Sequence, residues 1–120
     1  MKIRILDDSV RLRLDRDEVD AVGRGDDVCS ATRFPGGQVL VCRLGVGGPA
    51  VSAGFAQGEI SVRLPAAMAG AWALSDSEVS LSAQVPVRPG VLAILVEKDF
   101  ECLAPREGEN QSNRFPNPKA

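Results

Sequence analysis

Histidine and tyrosine are both missing from this 120-residue chain. Without histidine there can be no Ser-His-Asp or Cys-His nucleophile arrangement. Three cysteines fall short of the four Cys or His ligands that a structural zinc site normally takes. Their odd number and wide spacing fit free thiols in an unexported chain. Cys29 and Cys42 sit on the two arms of one predicted hairpin, where they are expected to come close and behave as small hydrophobes. Cys102 has only Lys98 or a carboxylate nearby to activate it. Aromatic residues make up 4%, too few for a base-stacking platform. The formal charge of -2 gives no general attraction to nucleic acid or anionic membrane. No apolar run approaches the roughly 20 residues of a membrane helix, and residues 1–6 lack the apolar stretch of a signal peptide. A cytoplasmic location follows as the expectation. Gly45-Val46-Gly47-Gly48 is not followed by a helical pattern, so it is not a phosphate-cradling loop.

What the chain does have is a copy of itself. Sliding it by 50 residues sets Ile5 to Leu14 against Phe55 to Leu64, and one inserted residue later brings Val28 onto Val79. Such an offset decides architecture before any single element does. Repeat 1 spans about 1–46 and repeat 2 about 50–98, within one domain over 1–103. Residues 104–120 carry three prolines and little apolar pattern, which predicts an extended tail. Phe115 within it is expected to pack back on the domain.

Each repeat reads as strand, strand, short helix, strand, strand. Lys2 to Leu6 and Val10 to Leu14 alternate apolar and charged residues across Asp7-Asp8, the pattern of a hairpin with one buried face. Asp15 with Glu18 three residues later has the form of a capping box, and Gly23 with Gly25 ends that helix. Val28 to Phe34 and Val39 to Leu44 are the next two strands. In the second copy, Gln57-Gly58 turns between strands and Pro65 opens the helix. Met68, Ala69, Trp72 and Ala73 are its expected buried stripe, with Trp72 where Val22 lies in the first copy. Val91 to Val96 is apolar on both faces, which predicts a central strand. The fold class is α+β: about eight mostly antiparallel strands, forming a barrel or strongly curved sheet, with two short helices.

Two charged groupings are candidate sites. If the helices cover the apolar faces, then Lys2, Arg4, Arg11, Arg13 and Arg63 lie on the opposite ones. Arg11, Arg13 and Arg63 there would bind a phosphate or carboxylate bidentately, or else pair with carboxylates on neighbouring strands. Glu97, Asp99 and Glu101 alternate along one face of an extended segment. They would bind a hard cation such as Mg²⁺, exchange a proton, or pair with the arginine face.

Lys2-Ile3-Arg4-Ile5 with Ser9-Val10-Arg11-Leu12-Arg13-Leu14, and Leu95-Val96-Glu97-Lys98-Asp99-Phe100 with Cys102-Leu103 and Phe115-Pro116-Asn117-Pro118, resemble a family of short uncharacterised bacterial proteins. The resemblance implies a bacterial source and a free-standing domain, and brings no site residues. The architecture is also similar, more loosely, to the triphosphate tunnel enzymes. Their Glu-x-Glu-x-Lys signature has no counterpart in Lys2-Ile3-Arg4-Ile5-Leu6, so the likeness stops at architecture.

These readings converge on a non-catalytic accessory or binding module, for a protein partner or an anionic ligand, with no cofactor. The alternatives are a metal-assisted enzyme acting on a phosphorylated or carboxylated small molecule in a barrel lumen, and a self-associating structural domain that forms a homodimer.

Overall fold

In the computed structural model the described residues are 1–99. The expectations for Glu101, Cys102, Phe115 and the 104–120 segment therefore lie outside them. The order is β1 (Lys2–Leu6), β2 (Ser9–Leu14), α1 (Arg16–Gly23), β3 (Val28–Arg33), β4 (Val39–Val46), β5 (Ser52–Ala56), β6 (Glu59–Leu64), α2 (Ala66–Leu74), β7 (Ser80–Val87) and β8 (Gly90–Lys98). A short 3-10 turn over Pro35–Gly37 joins β3 to β4.

The strands do not close into one barrel. They form two four-stranded sheets, ordered β1-β2-β8-β7 and β3-β4-β6-β5. Each of the four hairpins is antiparallel, but the two pairings at the sheet centres, β2 with β8 and β4 with β6, are parallel. Parallel neighbours need a crossover connection: between β2 and β8 it is most of the chain, and between β4 and β6 it is the stretch that holds β5. Ser9 lies beside Ala93 and Val41 beside Glu59. Each sheet thus joins a hairpin from residues 1–46 to one from residues 52–98, and the two sheets share one strand order.

Alternation along the strands explains the core. On β2, Val10, Leu12 and Leu14 are buried while Ser9, Arg11 and Arg13 face outward. The parallel register sets Leu12 beside Val96 and Leu44 beside Val62, and all four are at most 1% exposed. β8 is a central strand, as its apolar run requires.

Both helices cross from one sheet to the other, and they pack on each other there. α1 begins with the expected capping box: Asp15 accepts from the Glu18 amide at 2.9 Å, and Glu18 accepts from the Asp15 amide at 3.0 Å. Its end is a Schellman motif, with the Asp26 amide on the Ala21 carbonyl, the Gly25 amide on Val22, and Gly25 at φ 87. Gly23 does something else. A Cβ on it would lie 3.0 Å from the Ala73 Cβ, so its bare backbone lets α1 approach α2. Pro65 caps the start of α2, on which Ala69 and Trp72 are buried. Met68, by contrast, is 38% exposed and belongs to the solvent side rather than the buried stripe.

Trp72 is the largest fully buried side chain. Its Nε1 donates to the Val79 carbonyl at 3.2 Å. The Lys98 ammonium lies 5.3 Å from its ring centroid and donates to the Ser75 carbonyl at 2.6 Å. One residue therefore ties α2, the loop after it and β8 together. No helix among the described residues is long and apolar enough to cross a membrane.

Candidate functional site: the charged outer face of the first sheet

The β1–β2 hairpin sets like charges against each other. With the turn at Asp7-Asp8, Lys2 falls opposite Arg13 and Arg4 opposite Arg11, all on the face turned away from the core. Directly opposed like charges destabilise a strand pair, so this face needs carboxylates. The neighbouring strand β8 supplies one, because its register places Glu97 beside Arg13.

Glu97 accepts from Arg13 Nε at 2.7 Å, and the same oxygen is 3.9 Å from Arg11 Nε. Asp99 receives Lys2 Nζ at 3.0 Å and Arg13 Nη1 at 3.9 Å. The glutamate side chain is 15% exposed, so this pair is better shielded than an ordinary surface ion pair. The second opposed pair is served unequally. Arg4 makes no ion pair or hydrogen bond among the described residues, and Arg11 has only the 3.9 Å approach to Glu97. Among the described residues four cations face two carboxylates, and the surplus sits at Arg4 and Arg11. Lys2, Ile3, Arg4, Arg11 and Arg13 line a cavity of about 210 Å³ on this face.

The structure brings Arg11 and Arg13 together but leaves Arg63 elsewhere. Arg63 lies on β6 in the second sheet, opposite Gly45 and Ser52, and donates to the Val46 carbonyl at 3.2 Å. Lys2 and Arg4 take its place beside Arg11. A two-residue hairpin turn at Asp7-Asp8 was the sequence signal for this, since it fixes which residues stand opposite each other. Of the proposed metal ligands, Glu97 and Asp99 are both held by basic side chains. No group of three or more His, Cys, Asp or Glu residues arranged to hold a metal exists among the described residues.

On the outer face of the second sheet, Arg43 has carboxylate partners on two sides. Arg43 lies 3.4 Å from Glu59 and 3.6 Å from Asp27. Its hydrogen bond to Glu59, chiefly, raises its pKa, with the charges of Cys29 and Glu59 adding to this. Cys29 lies opposite Arg43, whereas Cys42 lies opposite Ser30, so the two thiols are diagonal neighbours on paired strands but on opposite faces of the sheet. Cys42 is buried and Cys29 exposed.

The match to known families covers almost the entire chain: residues 1–119 fit a family of unknown function, DUF7009, and the chain belongs to it. No curated protein matches the chain. No solved structure matches it either.

Proposed function

We propose that this member of a family of unknown function is a non-catalytic binding module that takes an anionic group on the outer face of its first sheet. The observation behind this is the pair Arg4 and Arg11, directly opposite each other on adjacent strands, which among the described residues has a single carboxylate approach, Arg11 to Glu97 at 3.9 Å. A like-charged cross-strand pair weakens a hairpin, and an oxyanion set between the two guanidiniums would reverse that by accepting from both. Glu97 and Asp99 serve as struts in this reading. They hold Arg13 and Lys2 in place, and the free positive charge is left at one end of the face. The fifty-residue offset together with the shared strand order supports an internal duplication, and we place the protein in a bacterial cytoplasm.

A thermal melt against inorganic phosphate, pyrophosphate and acetate tests the reading. A ligand at 100 times its dissociation constant adds about 2.7 kcal/mol, which is several degrees for a domain of this size. The shift should vanish in Arg11→Ala and persist in Arg63→Ala. A flat response to every anion would falsify the binding face. A second reading, self-association, is favoured by β7, an edge strand of eight residues without a charge. A monomer on gel filtration at high concentration removes it.

A further inference from the structure

The anion end of the face adjoins a second feature. A larger cavity, of about 460 Å³, runs over the outer face of β2, β8 and β7, where Ser9, Arg11, Ser82, Gln84, Ala93 and Leu95 line it. The sheet register explains its floor. Ser9, Ala93 and Gln84 lie in one row across three strands, and Arg11, Leu95 and Ser82 in the next. The first row is centred on a small residue and the second on a larger one, so the sheet surface dips over Ala93 and rises at Leu95. Arg11 lines both this depression and the basic cavity at Arg4.

Resting on the anion-binding reading above, we infer that the occupant is a small molecule with one oxyanion on a compact uncharged body. The oxyanion, a phosphate or a carboxylate, lies between Arg4 and Arg11, and the body lies over Ala93. Three observations select this class. The volume falls within the roughly 300–1,000 Å³ of small-molecule sites. Apart from Arg11, the depression is lined without charge, by Ser9, Ser82, Gln84, Ala93 and Leu95, so a second ionised group on the ligand would have no counterpart there. The other opposed pair, Lys2 and Arg13, is already held by Asp99 and Glu97, which leaves one anion position rather than a row of them. The Ser9 hydroxyl donates to the Leu6 carbonyl at 2.8 Å, so Ser82 and Gln84 are the side-chain donors left for the body.

The test uses the full chain and four probes: inorganic phosphate, phenyl phosphate, benzoate and a hexaglutamate peptide, titrated by calorimetry. Phenyl phosphate should bind roughly tenfold tighter than inorganic phosphate, a gain that one buried ring face can supply. Benzoate against phenyl phosphate distinguishes the carboxylate source from the phosphate. Ala93→Phe, which fills the depression on an open face, should abolish the gain and leave inorganic phosphate binding unchanged. Arg11→Ala should abolish binding of every probe. Equal affinity for phosphate and phenyl phosphate overturns the depression as a subsite while the basic face stands. No heat with any probe overturns both. Tightest binding by hexaglutamate, indifferent to Ala93→Phe, overturns the small-molecule class in favour of an acidic protein segment.

Discussion

At the scale of single residues, two buried groups decide more than their number suggests. Trp72 fills the centre of the core, and its ring is also the platform beneath Lys98. Trp72→Ala should therefore cost roughly 3–5 kcal/mol, read as a fall in the urea midpoint, because the cavity cannot collapse between two sheets. Cys42 is the other. Burial first, and the nearby Cys29 second, push its thiol up from the ordinary value. In a Cys102→Ser background, a thiol reagent should label Cys29 at once and Cys42 only on unfolding. The sign of the pH effect follows from the raised pKa. Below the unfolded thiol value of about 8.5, Cys42 is neutral in both states and its contribution is fully present. Above it, the unfolded chain loses the proton first, and stability falls until the pH passes the folded value. Chemical denaturation between pH 7 and 10 should show a steeper loss for the natural chain than for Cys42→Val. Equal slopes would mean the thiol titrates alike in both states.

At the scale of elements, what could be read in the chain was whatever local chemistry dictates. Asp15 and Glu18 announced a capping box, and it forms; Asp15→Ala should lose about 1 kcal/mol. Gln57-Gly58 announced a turn, and both residues adopt positive φ, 53 and 76. Gly58 carries a further constraint, since a Cβ there would lie 2.9 Å from the Val39 carbonyl oxygen, a backbone atom of β4. Gly58→Ala should accordingly cost roughly 1–3 kcal/mol, more than a conformational penalty alone, and a smaller loss in urea denaturation would mean β4 yields easily. Less was legible where the pattern lacked contrast. α2 reads Ala-Ala-Met-Ala-Gly-Ala-Trp-Ala-Leu, apolar all round, so periodicity could not tell that Met68 faces water. The charged face was half legible. Alternation put Arg11 and Arg13 on one side, and Glu97 within reach of it. The same alternation admitted Arg63, because a matching position in the other repeat says which face a residue takes but not which sheet.

At the scale of the whole molecule, the pairing that no local pattern could encode becomes the main determinant of stability. Arg13 and Glu97 meet 84 residues apart in the chain, and β2 reaches β8 only after both helices have crossed. Contacts of such separation are closed late and at high entropic cost. Each half of the chain, residues 1–48 or 49–120, contains two hairpins that belong to different sheets, and a lone two-stranded hairpin is marginal in water. Neither half should therefore fold alone, and circular dichroism of each fragment should show no cooperative melt. Two copies of the first half do not repair this, despite the matching strand order. They would set Val22 where Trp72 stands and Gly23 against Gly23, removing the largest buried side chain from the centre of the core. Mixing the two fragments should restore both central parallel pairs, and with them a melt and the anion response of the first sheet. A first half that melts cooperatively by itself would mean that its hairpins pair with each other, and that the crossed arrangement of sheets is not what holds the domain together.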